Sequence, residues 1–404
     1  MKKRILQMIG TRPEAIKMSP VALELAERPG FSSRVCFTGQ HRELLEQAAS
    51  AFGLRPDCRL EVMEEEQSLD GLTARLLTQI TQLLREERPD LLLVHGDTTT
   101  AFAAALAAFY LEIPVGHVEA GLRTGDLAAP FPEEFNRVAV DRLSKWHFAP
   151  TPRAAANLLR EGCPPESIQV TGNTVVDAME LTLREDFSHP VLAWAGERPL
   201  VLMTIHRREG LDTLAELFAS LRTLIQAHGE AAFCFPIHPN PRVRRLACGL
   251  LGGLDNLMLS NPLEVRAFHN LLARCALVLT DSGGIQEEAA VLGKQVLVLR
   301  DATERPEGIA GGLLHLVGRE QGALEKNFAA LLENAPSCDK IHLDLGLYGD
   351  GRAARRIADT LERGRAGADW RPAGSGTEGA QRMIIFSKIG AQDTETERDG
   401  KTDG

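Results

Sequence analysis

The 404-residue chain has no CxxC pair, and its seven cysteines are scattered and odd in number. Neither a disulfide framework nor a zinc site is indicated. No block of Lys and Arg is present and the formal net charge is −10, which argues against nucleic acid as a partner. An anionic ligand would have to be held by local donors rather than by an overall field. The longest apolar run, AFAAALAAFYL (Ala101 to Leu111), is about half of the ~20 residues that a bilayer span needs. In the opening stretch, MKKRILQMIGTRPEAIK, Arg12, Glu14 and Lys17 break any sustained apolar region. No signal peptide is read there, and a cytoplasmic location is expected. No strand is followed by the Gly-rich fingerprint GxGxxG, so a nicotinamide cofactor is not expected.

What is present is a soluble, globular composition, 44% apolar and 25% charged. The length exceeds one ordinary core, so two domains of about 150 to 200 residues are expected. Short apolar runs alternate with longer helical patterns. RILQMI, SRVCFTG, DLLLVHGD and IPVGHVE read as strands of a first half. Helical spacing runs over Pro20–Glu27, Arg42–Phe52 and TTTAFAAALAAFYL. The pattern restarts after VTGNTVVD (Val170 to Asp177), with strands in PLVLMTIH, AAFCFPIHPNP, CALVLTDSGG and KQVLVLRD. Strand–helix–strand alternation implies parallel pairing with right-handed crossovers. The fold class predicted is α/β, with two doubly wound Rossmann-like domains and the active-site cleft between them. The divisions are 1–172, 173–350, a C-terminal helix within 351–370, and a Gly-, Thr- and Asp-rich tail, 371–404, expected to be disordered.

In open parallel sheets, ligands bind outside the carboxyl ends of the strands, where the strand order reverses. The unusual clusters of this chain fall at such ends: GTRPEAIK, HGDTTT, HVEAGLRT, HRRE, TDSGGIQEE and RDATERPE. In DSGGIQEE, Asp281 or Ser282 can cap a helix, and Gly283 and Gly284 let backbone N–H groups approach an anion such as a phosphate. Arg12, Lys17 and Arg305, read as lying in other strand-end loops, would converge on the same place. Glu288 lies on the helix face of Gly284, where a carboxylate can accept ribose hydroxyls. An ordinary exposed Glu is the blander reading of it. Asp97, Glu119 and Glu133 follow strands of the first half and could share one pocket. Neighbouring carboxylates raise one another's pKa, which suits acid–base work near neutral pH. Helix capping would explain Asp97 and Glu133 as well, but not Glu119. His206, at the switch point of the second half, would face them across the cleft.

The motifs GTRPEAIKMSPV, TGQHRELL, VHGDTTTAFAAALAAFY, IPVGHVEAGLRTGDLAAPFPEEFNR, VTGNTVVDA, HRRE, LTDSGGIQEEAAVLGKQVLVLRDATERPE and YGDG occur in this order. Over about residues 3 to 365 the chain resembles the bacterial, non-hydrolysing UDP-N-acetylglucosamine 2-epimerases. The resemblance implies a glycosyltransferase-B-like fold whose last helix packs back on the first domain. It also implies a homodimer, with no metal and no cofactor. It implies Asp97, Glu119 and Glu133 as acid–base carboxylates and His206 as a catalytic His. Arg12 and Lys17 would lie near the diphosphate, and Ser282 and Gly284 in its loop. Glu288 would sit on the ribose, with Phe268 and Arg305 as further nucleotide contacts. Gln40, His41, Arg207 and His238 match part of an allosteric pocket. Gly210 in HRREG, Pro239 in PIHPNP, and Glu43 and Glu66 depart from the family pattern. An acidic Glu66 in place of a cation predicts weakened allosteric activation.

The C2 hydrogen of a pyranose is not acidic, since no carbonyl lies beside it. Breaking the bond from C1 to UDP first makes it so, and loss of that proton gives 2-acetamidoglucal. Cations and the Gly-rich helix start would stabilise the leaving diphosphate, and the carboxylates would move the proton. Glu134, Arg123 and Arg137 are expected to orient those carboxylates. Rival readings are a hydrolysing epimerase, an epimerase of a modified UDP-sugar, a glycosyltransferase of the same fold, and a nucleotide-sugar-binding protein without catalysis.

Overall fold

A computed structural model describes residues 2–39, 42–64, 67–205, 211–237, 240–300, 303, 305–318, 321–334, 343 and 346–364. The tail 371–404 lies outside the described residues. Among those described, strands β1 (Lys3–Ile9), β2 (Phe31–Phe37), β3 (Cys58–Arg59), β4 (Leu91–His95), β5 (Val115–Val118), β6 (Trp146–Ala149) and β7 (Ile168–Val170) form one sheet. Its order is β3-β2-β1-β4-β5-β6-β7. Strands β8 (Leu200–Thr204), β9 (Ala232–Pro236), β10 (Leu257–Ser260), β11 (Leu277–Thr280), β12 (Gln295–Val298) and β13 (Leu314–Leu316) form a second, ordered β10-β9-β8-β11-β12-β13. Neighbouring strands in both sheets are parallel. The two doubly wound α/β domains read from the alternation are therefore present, each with its order reversing once, between β1 and β4 or between β8 and β11.

The strands are buried on both faces because crossover helices cover both sides of a parallel sheet. LLLVH in β4 and LVLMT in β8 are buried throughout. One face of the first sheet packs Ile5, Ile9, Val35 and Leu93 into one core, and the other packs Leu6, Met8, Leu92 and Val94 into a second. The second sheet is divided in the same way, with Leu200 and Leu202 on one side and Val201 and Met203 on the other.

Two sequence expectations are corrected. Strands β3, β6, β7, β10 and β13, of 2, 4, 3, 4 and 3 residues, stand where no strand is expected from the sequence. Strands so short are stabilised by their neighbours rather than by their own pattern. The first helix begins at Arg12, not near Pro20, and runs through Pro20 to Glu27. Thr11 is extended at its N-cap. Pro13 lies in the first turn, where an amide N–H has no helical partner to lose. Arg12 and Lys17 thus stand on a helix and not in a loop.

The Thr174–Thr182 helix joins the two halves: Ala178 packs in a core of the first, Val175, Val176 and Met179 in a core of the second. The Ala353–Arg363 helix lays Ile357, Ala358 and Leu361 into the core that holds Trp146 of the first sheet. Asp177 receives its first N–H groups, from Ala353 at 3.2 Å and Ala354 at 2.9 Å. No helix among the described residues is long and apolar enough to cross a membrane.

Candidate active site

Strands β1, β4 and β5 deliver Gly10, Asp97 and Glu119 to one end of the first sheet. Gly10 is required there, because a Cβ would run into the Thr100 hydroxyl, which itself lies 3.0 Å from Thr38 Oγ1. Thr98 caps the Thr99–Tyr110 helix by accepting the Ala101 N–H, which leaves the Asp97 side chain out of capping. Glu119 follows β5 with φ +68°, in the left-handed region that a non-Gly residue enters only at a cost. Its N–H and that of Ala120 both donate to the Phe148 carbonyl, at 3.1 and 3.2 Å. This sharp turn sends the Glu119 carboxylate into the cleft.

There the Lys17 ammonium donates to Glu119 Oε1. Asn173 Nδ2 lies 3.4 Å from the same oxygen, and His95 Nε2 lies 3.7 Å from Oε2. Lys17 also donates to Glu287 Oε2 at 2.6 Å, and Arg305 Nε donates to Glu287 Oε1 at 2.8 Å. A buried row of alternating charge, Glu119–Lys17–Glu287–Arg305, therefore crosses the cleft. Burial pushes Glu119 up, but Lys17, His95 and Arg305 together outweigh it and hold the carboxyl well below the usual range. The raised pKa expected of a carboxylate cluster is thus corrected for Glu119, because its nearest charges are cations. Burial lowers His95 to about 4, so its ring is neutral near pH 7. Lys17 is raised despite burial, because Glu119 and Glu287 flank it.

Asp97 receives a hydrogen bond from Arg137, and its backbone carbonyl accepts from Asn136 Nδ2 at 2.9 Å. Glu133 is the first residue of the helix that carries both, one turn before Arg137 and on the same face. Glu134 uses both oxygens: Oε1 accepts the N–H groups of Thr124 and Gly125, at 2.9 and 3.0 Å, and Oε2 lies 3.5 Å from Arg137 Nη1, the Arg that holds Asp97. Arg123 pairs with Asp141 and Glu161 rather than with a predicted acid–base group.

Across the cleft, Ser282 is the N-cap of the Gly283–Val291 helix, and its side chain makes no cap bond. Neither reading of that cap, Asp281 or Ser282, includes the bond that is found, from the Ser282 N–H to Thr280 Oγ1 at 3.0 Å. The space that a Gly284 Cβ would fill is open. Glu288 is buried beside His269 Nε2 at 3.7 Å, which corrects the exposed reading. Arg12 donates to the Leu263 carbonyl at 2.9 Å, and the charge of Glu288 acts on it. Phe268 is buried in the core below. Of the three cations Lys17 and Arg305 converge, on the carboxylate of Glu287, while Arg12 lies beside Leu263 and Glu288. His206, Arg207, His238, Gln40 and His41 lie outside the described residues, as does Glu66. No metal-ligand cluster of His, Cys, Asp and Glu occurs among the described residues.

Sequence reasoning missed His117, Asp141 and Glu287. His117 Nδ1 lies 2.6 Å from Asp141 Oδ1 and its Nε2 2.8 Å from the Gly96 carbonyl, all buried. Burial pushes Asp141 up, but His117 and Arg123 bring it down to about 2. This network ties the backbone before Asp97 to β5 and to the Glu133–Leu143 helix.

Two doubly wound parallel domains, with carboxylates on one wall of a cleft and a Gly-rich helix start on the other, define an α/β protein of the glycosyltransferase-B-like class. The glycosyltransferase SnogD from Streptomyces nogalater shares that fold at 18% identity, with a TM-score of 0.54 over 96% of this chain and all of its own. The chain belongs to the UDP-N-acetylglucosamine 2-epimerase family, whose model matches residues 23–362, and is thereby an isomerase. It is 47% identical to UDP-N-acetylglucosamine 2-epimerase of Bacillus subtilis strain 168, over 89% of this chain and 95% of the relative. A crystal structure of a UDP-N-acetylglucosamine 2-epimerase homologue from Listeria monocytogenes superposes with a TM-score of 0.86 at 45% identity, covering 91% and 98% of the two chains. The Neisseria meningitidis UDP-GlcNAc 2-epimerase, solved bound to UDP-GlcNAc, gives 0.82 at 43% identity, covering 89% and 99%.

Proposed function

We propose that this protein interconverts UDP-N-acetylglucosamine and UDP-N-acetylmannosamine without net hydrolysis. The observation that carries the reading is Glu119, an ionised carboxylate turned into the cleft opposite the open helix start at Ser282–Gly284.

The bond from C1 to the β-phosphate oxygen breaks first, and its electron pair leaves with UDP. Arg12, Arg305 and the helix N-terminus offset the diphosphate charge. A carboxylate then takes the C2 proton, which closes the C1–C2 double bond of 2-acetamidoglucal. Proton delivery to the opposite face of C2 and return of the UDP oxygen to C1 give the epimer. Asp97, Glu119 and Glu133 supply the carboxylates, since two faces of C2 must be served, and His206 joins them from the second half. Arginines neutralise the diphosphate, so the route needs neither metal nor cofactor. The same reading makes the protein a cytoplasmic homodimer that supplies a precursor of surface polysaccharide.

The test is to incubate the protein with UDP-N-acetylglucosamine in deuterated water and follow it by proton NMR. Deuterium at C2 in a manno UDP-sugar is the expected result. Free N-acetylmannosamine with UDP would replace the reading by a hydrolysing enzyme. Unchanged substrate would overturn epimerisation of this sugar.

A further inference from the structure

Glu287 stands one residue before the Glu288 that the nucleotide reading uses, and it is the more buried of the two, 1% exposed against 7%. Its two oxygens have separate partners. Oε1 accepts from Arg305 of its own domain at 2.8 Å, and Oε2 accepts from Lys17 of the first domain at 2.6 Å. Lys17 in turn donates to Glu119. Each domain therefore contributes one cation and one carboxylate to the row. When the domains part, Glu119–Lys17 stays together on one side and Glu287–Arg305 on the other. Each half remains electrically neutral, and the bond that breaks is Lys17–Glu287. A buried charge left alone would resist opening strongly, whereas two neutral pairs do not. The row thus suits a contact that is made and broken repeatedly. Other bonds across the cleft, Arg12 to the Leu263 carbonyl at 2.9 Å, Thr151 to Glu307 at 2.7 Å and Arg266 to the Ala51 carbonyl at 2.9 Å, do not touch the acid–base groups.

We propose that Glu287 is a positioning residue: it straps the second domain to Lys17 and thereby fixes Lys17 against Glu119 when the cleft closes. The functional half of this inference rests on the epimerase reading, and the strap itself does not. Glu287→Gln keeps the shape but removes the charge that holds Lys17, and its amide N–H2 faces either Lys17 or Arg305, both of which are donors. The strap is then weakened when the amide faces Arg305 and lost when it faces Lys17.

The test compares the wild-type protein with Glu287→Gln and Glu287→Asp, each checked for folding by circular dichroism. Small-angle X-ray scattering of the ligand-free proteins reads the cleft, and C2 deuterium exchange reads the chemistry. The expected result for Glu287→Gln is a larger radius of gyration, restored towards wild type by UDP. Its kcat should fall by about 10- to 100-fold, the scale of a small misplacement at a reacting centre, while KM changes less than about threefold. Glu287→Asp keeps the charge but not the reach, so it should fall between the two, and it serves if Glu287→Gln fails to fold. Wild-type scattering in both variants would overturn the strap, whatever their activity. Altered scattering with wild-type kcat would overturn the positioning role. If the wild-type protein fails to exchange C2 while Glu287→Gln still opens the cleft, the epimerase reading falls and the strap stands.

Discussion

Arg137 donates to the Asp97 carboxylate from the helix that Glu133 begins. Arg137 is 3% exposed and Asp97 28%, so the pair lies at the inner edge of the cleft, with the carboxylate facing the opening. Arg137→Met leaves the Asp97 side chain without this donor. Turnover should fall by about 10- to 100-fold through misplacement of Asp97. Stability should fall by about 1–2 kcal/mol for the lost hydrogen bond to Asp97, read from urea denaturation.

Asp97→Asn and Glu119→Gln each remove an acid–base group while keeping its size. Each should reduce C2 exchange by about 100-fold or more, with the circular dichroism spectrum unchanged. Near-normal exchange in both would remove the two carboxylates from the mechanism.

His117 has acceptors at both ring nitrogens, the Asp141 carboxylate and the Gly96 carbonyl. His117→Phe removes the buried partner of Asp141 Oδ1 and of the Gly96 carbonyl, while Arg123 stays on Asp141 Oδ2. A loss of about 2–4 kcal/mol is expected in chemical denaturation. Combined with Asp141→Asn, the effect should be less than additive, because the two residues form one network.

Burial raises Glu14 from its ordinary 4.5 to about 7, against the hydrogen bonds it accepts from Thr11, Thr98 and Gly10. The folded state therefore holds this proton more tightly than the unfolded chain does. Its contribution to stability is full below pH 4.5 and is lost as the pH rises through 7. Glu14→Gln imitates the protonated side chain at every pH. Between pH 4.5 and 8 the wild-type protein should lose about 3 kcal/mol relative to this variant, read from denaturation midpoints at each pH. Parallel stability curves would show that Glu14 does not titrate in that range.

The strands were legible where an apolar run is long enough to be buried on both faces, as in LLLVH and LVLMT. Their carboxyl ends pointed to Gly10, Asp97, Glu119 and Ser282–Gly284. The two-residue strand β3 was not legible, because only pairing with β2 makes it a strand. Nor was the helix start at Arg12, since Pro13 reads locally as a loop signal and Pro20 as the start of the helix. His117 and Asp141 are 24 residues apart, and Lys17 and Glu287 are 270 apart. No local pattern marks such a pair. Of the two adjacent acids in IQEE, no local signal singles out Glu287, which spans the cleft to Lys17.

By itself the sequence determined the α/β class, the two doubly wound halves and the strand ends that hold the chemistry, because periodicity and turn residues act within a few positions of the chain. Only the tertiary structure decided which charges face one another. Lys17 pairs with Glu119 and Glu287 in one buried row, and Glu119 is lowered rather than raised, because a side chain's ionisation follows the few groups within about 4–6 Å of it. Those groups come from strands and helices that the chain brings together only on folding.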